Sequence, residues 1–381
     1  MGLYLHIPFC QAKCSYCDFN TYTGLGTLYQ PYAEALIREG RWLASQFSHP
    51  VATLFLGGGT PTVLPVELLQ TILSACLNAF VVEGDAEITS EANPGTVSLE
   101  YLRALRNLGV NRLSLGAQSF EEQELAMLGR IHSVDQVRLT VERARAAGFD
   151  NLSLDLIYGL PNQTLTSWQR TLERALALVP QHLSLYCLTL EEETPLHAWV
   201  SYGRLPAPDP DLAADMYEAA DERLAQAGYQ QYEISNWSLP GYECAHNLTY
   251  WRNRPYLGLG AGAHSSSGGQ RWWNVRPVQV YVEHITRGSP TPWPSPGAED
   301  GEVIDRSLEM GETMMLGLRL TDEGVAEANF RQRFGLSLEQ AYGDLIQKLD
   351  KSGLLTWHDG RLCLTRRGRL LGNQVFAQFL P

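Results

Sequence analysis

Three cysteines fall within eight residues in Cys10-Gln-Ala-Lys-Cys14-Ser-Tyr-Cys17, directly after a short apolar run from Leu3 to Ile7. Thiolates are the soft ligands that iron-sulfur clusters require, and a cubane of four irons normally takes four of them. Here the local count stops at three. A 4Fe-4S cluster on Cys10, Cys14 and Cys17 would keep one iron open, able to bind the amino and carboxylate groups of S-adenosylmethionine (SAM). Structural zinc is the competing metal, but it normally draws a fourth Cys or His from a paired motif. His6, the local candidate, lies inside the preceding strand.

Further polar or glycine-rich positions follow other apolar runs: Gly57, Gly58, Gly59 and Thr60, then Glu91, Gln118, Arg130 and Asp155. Glycines at a strand end let backbone amides and carbonyls approach a ligand closely. Their plain reading is a sharply turning loop. Buried carboxylates in such places need a partner. Of the other cysteines, Cys76, Cys187 and Cys363 sit in apolar text and read as core residues, since a free Cys behaves as a small hydrophobe. Cys244 stands two residues before His246 in what reads as an aromatic-rich loop closing a barrel.

The elements that must position these residues alternate regularly. Strands are expected over 3–7, 52–56, 87–90, 112–115, 152–157 and 183–188. Helices are expected near 31–46, 66–79, 98–107, 135–147, 165–178 and 211–227, many followed by Gly or Pro stops. Six βα units predict an α/β fold with a parallel sheet. Open sheets and barrels share this pattern, but unusual residues gathered at the carboxyl ends of strands favour the barrel. From about residue 230 the rhythm gives way to aromatic, Gly-rich and Pro-rich text. This sets residues 1–230 apart from a connecting segment, 231–296, and a smaller α+β domain, 297–381. In the last, helices over 303–320 and 336–349 precede a hairpin across Asp359-Gly360, a winged-helix-like unit.

Bulk properties narrow the function. Hydrophobic residues at 44% and charged residues at 19% describe an ordinary globular protein. A formal charge of -13 argues against a nucleic-acid partner, because that affinity rests on Lys and Arg neutralising phosphates. No stretch approaches the roughly 20 apolar residues of a membrane span, and the first residues carry no secretory pattern. A cytoplasmic location is expected, where the seven cysteines stay reduced.

Tyr4-Leu-His-Ile-Pro-Phe-Cys10 with Cys14, Cys17 and Phe19, then Gly57-Gly-Gly-Thr60-Pro61, Glu91-Ala-Asn-Pro94, Gly116-Ala-Gln118-Ser-Phe and Asp155-Leu-Ile-Tyr-Gly-Leu-Pro161, come in order along the chain. Together they resemble the radical SAM proteins related to oxygen-independent coproporphyrinogen III oxidase. The resemblance implies a partial (β/α)6 TIM-like barrel. It also implies SAM contacts from Glu91 and Asp155 to its ribose or amino groups, from Arg130 to its carboxylate, and from Tyr4 and Tyr16 along the pocket. The oxidases carry a further cysteine where this chain has Phe19, and an N-terminal extension. Both differences turn the resemblance toward a sibling group of heme chaperones, which share the segment His246-Asn247-Leu-Thr-Tyr250-Trp251. That implies heme as cargo, with His246, Tyr250 and Trp251 in its site and Cys244 or His264 as substitute ligands. The implied partners are a heme-acceptor protein, an electron donor to the cluster, and a peripheral membrane contact with a respiratory heme protein. Oxidative decarboxylation of coproporphyrinogen III is the alternative activity.

Overall fold

The computed structural model describes residues 1–288 and 290–381. Six strands run parallel in chain order: β1 (Gly2–Ile7), β2 (Val51–Gly58), β3 (Val82–Ala92), β4 (Arg112–Gln118), β5 (Asn151–Tyr158) and β6 (His182–Cys187). Helices Tyr29–Ala44, Val66–Ala79, Leu99–Asn107, Val134–Ala146 and Leu165–Leu176 link them, each close to its expected span. Ser133 and Thr164 close capping boxes and Ser98 caps a third helix, so these starts are encoded locally. On one face, Leu3, Leu5, Leu54, Leu56, Leu113, Leu115, Leu152 and Leu154 are fully buried against the helices. The alternate positions carry Tyr4, Phe55, Glu91, Ser114, Asp155, Ser184 and Tyr186, and all border one cavity. Side chains from six consecutive strands can meet around one cavity only if the sheet curls into a partial barrel.

The segment from 230 onward is more ordered than its text suggests. β7 (Gln230–Glu233) and β8 (Asn236–Ser238) extend the sheet beyond β6. β9 (Tyr256–Leu259) pairs parallel to β1, and β10 (His264–Ser267), β11 (Gln270–Asn274) and β12 (Ala298–Val303) follow antiparallel. Glu39, fully buried, accepts hydrogen bonds from Gly260 N at 2.8 Å, Asn274 Nδ2 at 2.7 Å, Tyr281 OH at 2.6 Å and Ser295 Oγ at 2.5 Å. One carboxylate thus ties the irregular edge to the first helix.

A second hydrophobic core holds Met314, Phe330, Leu338, Leu355 and Phe376. Its sheet is β13 (Val325–Ala326), β14 (Leu355–His358) and β15 (Arg361–Leu364) in the order β13-β15-β14, with the expected hairpin across Asp359-Gly360. The helix expected over 303–320 is shorter, Arg306–Gly317, because Val303 ends β12 and Asp305 caps the helix through Leu308 N. Cys76 and Cys363 are core residues, whereas Cys187 is exposed, where β6 runs out past its last buried leucine.

Candidate functional site

The three cysteines lie on the loop that leaves β1. Cys10 N donates to Tyr22 O at 2.9 Å, and Ser15 pins the loop by donating from N to Leu128 O at 3.0 Å and from Oγ to Met127 O at 2.7 Å. The thiols form no disulfide. Each has its own polar neighbour instead: Cys10 Sγ lies 3.7 Å from Thr60 Oγ1, Cys17 Sγ 3.9 Å from Thr21 Oγ1, and Cys14 Sγ accepts from Arg130 Nη1 at 3.3 Å. Hydrogen bonds and a cation at sulfur favour thiolates and tune cluster potentials, so the donor set fits an iron-sulfur cluster. Among the described residues no three His, Cys, Asp or Glu side chains are placed to hold a single metal ion. His6, the zinc candidate, is taken up elsewhere, with Nδ1 3.0 Å from Tyr4 OH and Nε2 2.9 Å from Asn20 O.

Arg130, Tyr16 and Gln118 gather beside this loop, while Tyr4, Glu91 and Asp155 line a cavity inside the barrel. Arg130 also donates from Nη2 to Asn93 Oδ1 at 2.5 Å and to Gly116 O at 2.7 Å, while its enclosed Nε has no partner. Gln118, in the left-handed region at φ 66°, shares the space over Gly116 with Arg130. Tyr16 lies beside Arg130, and its hydroxyl is held above its ordinary range, chiefly by burial. Glu91 accepts from Gly58 N at 3.2 Å. Burial, then the nearby Asp155 charge, pushes its carboxyl up to about 8. Asp155 accepts from Ser114 Oγ at 3.0 Å. An arginine with a free N–H and a carboxylate with few donors fit the zwitterionic, cationic end of SAM. The glycine run has a reason of its own. A side chain on Gly58 would strike the His6 ring, and one on Gly59 would strike the carbonyl oxygens of Ile7 and Phe9. The protein's own packing therefore demands these glycines.

The segment from His246 to Trp251 is elsewhere, and it is not a loop. Helix Ala245–Trp251 sits at the amino ends of β1 and β2, where the His246 ring approaches Gly2 and Thr53. Glu87, on β3, caps it by accepting from Ala245 N and His246 N, both at 3.0 Å. His246 is 1% exposed. Its Nδ1 lies 2.8 Å from Thr53 Oγ1 and its Nε2 2.9 Å from Tyr250 OH, so both ring nitrogens are engaged. Burial, helped by Arg112, lowers its pKa to about 3, which leaves the ring neutral. Trp251 faces away, with the Arg319 guanidinium 4.4 Å over its ring. Cys244 is fully buried, its thiol 3.5 Å from Glu87, so it offers no accessible thiol beside the motif. His264 stacks on Trp273 at 5.7 Å, apart from it.

A cavity of about 200 Å³ inside the barrel is bordered by Tyr4, Glu91 and Asp155 on the strands and by His246, Asn247 and Tyr250 of the helix, with the Tyr4 and His246 rings 6.4 Å apart. Arg112, Ser114 and Ser184 also border it and went unnoticed in the sequence. A signal for them existed. Buried parallel strands normally read as continuous apolar runs, and polar residues at every second position of β4 to β6 mark an inward face.

A partial parallel barrel with three thiols beyond its first strand defines a radical SAM protein. The radical SAM superfamily matches residues 4–175, and the HemN C-terminal domain matches residues 305–371. The chain is 40% identical to the heme chaperone HemW of Bacillus subtilis over 380 residues, 99% of this chain and 98% of that protein. It is 41% identical to HemW of Escherichia coli over 268 residues, 69% of each. The solved coproporphyrinogen III oxidase HemN of Escherichia coli, a radical SAM enzyme, superposes with a TM-score of 0.85 over 99% of this chain and 89% of that one, at 25% identity. The chain belongs to the HemW heme chaperone family, and its radical SAM domain carries with it a 4Fe-4S cluster and SAM.

Proposed function

We propose that the chain binds heme and delivers it to an acceptor protein, with the 4Fe-4S cluster and SAM as resident cofactors. The observation that carries this reading is 40% identity to a heme chaperone along almost the whole of both chains. Phe19 adds to it. It is 62% exposed on the cysteine loop, at the place where the oxidases carry a further cysteine.

In this reading Cys10, Cys14 and Cys17 would hold three irons, and the fourth is left to SAM. Cluster and SAM together supply one-electron cleavage of a carbon-sulfur bond when bound. Arg130 offers its free Nε to a carboxylate while its Nη1 stays on Cys14, which links cofactor and cluster through one side chain. Glu91 and Asp155 receive the cationic and hydroxyl groups, and Gly58 N holds Glu91 in place. Tyr4, Tyr16 and Gln118 fill the space around them. Heme is cargo. For His246 to ligate its iron through Nε2, the Tyr250 hydroxyl must let go, while Thr53 keeps hold of Nδ1 and fixes the tautomer. The helix must also move, because the imidazole is buried. An electron donor to the cluster, and a cytoplasmic, peripheral meeting with a respiratory heme protein at a membrane, belong with this reading through the family resemblance. Among the described residues no helix is long and apolar enough to cross a membrane.

The test separates chaperone from oxidase. Reconstituted protein given SAM, a reductant and coproporphyrinogen III is expected to form no protoporphyrinogen, while heme-loaded protein passes heme to an apoprotein acceptor. Multiple-turnover formation of protoporphyrinogen without heme transfer would reverse the assignment.

A further inference from the structure

Arg112 opens β4 and is 2% exposed. Its Nε is enclosed without a hydrogen-bond partner, and burial of the guanidinium is offset by the nearby Cys244, Glu87, Tyr232 and Asp155 groups. Arg130 shares an enclosed, unpartnered Nε, but its Nη atoms donate to a sulfur, an amide oxygen and a carbonyl. Burying a guanidinium without acceptors is costly, and arginines persist in such places where a planar anion completes their donors. Arg112 borders the 200 Å³ barrel cavity, and so does Asn247.

We propose that the barrel interior binds a carboxylate on a short aliphatic stem, its two oxygens on the Arg112 guanidinium. A phosphate dianion is the poorer match, because Glu87 and Asp155 lie near the guanidinium and repel a second negative charge. The volume lies below the roughly 300–1,000 Å³ of drug-sized ligand pockets. Two sources share the chemistry: a free small acid, or the propionate arm of a tetrapyrrole reaching in from outside. Tyr186 borders the cavity and is 44% exposed, which puts an opening at the carboxyl end of β6. The free-acid form does not depend on the heme reading, so either can fail without the other.

The experiment follows the Nε–Hε resonance of Arg112 by nuclear magnetic resonance in reconstituted full-length protein, assigned by through-bond correlation. Succinate, zinc protoporphyrin and zinc protoporphyrin dimethyl ester are titrated separately. A saturable shift with succinate, at least ten-fold weaker in overall binding to Arg112→Gln, supports a free acid. A shift with zinc protoporphyrin and none with its dimethyl ester supports the propionate arm. No shift with any probe, or equal shifts with ester and acid, would overturn the proposal. If Arg112→Gln does not fold, the wild-type resonance alone decides.

Discussion

Tyr250 occupies the nitrogen that a heme iron would need. Its hydroxyl lies 2.9 Å from His246 Nε2, and the two rings meet edge to face at 5.0 Å. Tyr250→Phe removes the competing hydroxyl and leaves the ring, so heme should bind several-fold more tightly, as measured by absorbance titration. Weaker binding would mean that Tyr250 is itself a ligand. Glu91 gives a second expectation. Its carboxyl ordinarily titrates near 4.5 and is raised to about 8, first by burial and then by Asp155. A raised carboxyl pKa means that the folded chain holds the proton more tightly than the unfolded one. This contribution is therefore full below pH 4.5 and is lost as pH rises toward 8. Relative to wild type, Glu91→Gln should gain on the order of a few kcal/mol between those limits, read from denaturant unfolding at a series of pH values. A pH-independent difference would show that Glu91 is ionised throughout. Most of these residues were legible individually: the thiols, Glu91, Arg130 and Asp155 are polar or reactive types just after apolar runs. What the sequence hid was pairing over distance, such as Thr53 with His246 or Arg130 with Cys14, because nothing local marks a partner more than a hundred residues away.

At the scale of elements, the six βα units were readable because periodicity and caps are local properties. Helix Ala245–Trp251 was not. Seven residues are too few to be stable alone, and its cap is Glu87 on β3 rather than a residue of its own segment. Propensity sees an aromatic loop there, and tertiary docking makes it a helix. The strands after residue 255 were missed for a similar reason. They are four to six residues long, and Glu39 in the first helix holds their irregular edge. Glu39→Ala would leave buried donors from Gly260, Asn274, Tyr281 and Ser295 without their acceptor. With each unsatisfied group costing about 1–3 kcal/mol, the variant should lose at least about 3 kcal/mol in chemical denaturation. A loss below about 1 kcal/mol would mean that water replaces the carboxylate and that the edge is held by its backbone ladder alone.

Across the whole molecule, the cysteine loop follows the carboxyl end of β1 while the His246 helix stands at the amino ends of β1 and β2, bordering the barrel cavity. The C-terminal domain grips the far end of that helix. Arg252 pairs with Glu323 through Nε at 3.0 Å and Nη2 at 2.6 Å, and Arg319 stacks on Trp251. The motif is thus divided, with His246, Asn247 and Tyr250 turned to the barrel interior and Trp251 to the second core. If heme binds at this motif as proposed, its binding would be coupled to the packing of the two cores. The most direct measurement is a titration of heme into cluster-free protein, followed at the Soret band for wild type and His246→Ala. A saturable shift at about one heme per chain is expected, weakened or altered in the variant, whose iron-sulfur assembly stays intact. Wild-type protein that shows no saturable shift would contradict the assignment as a heme chaperone.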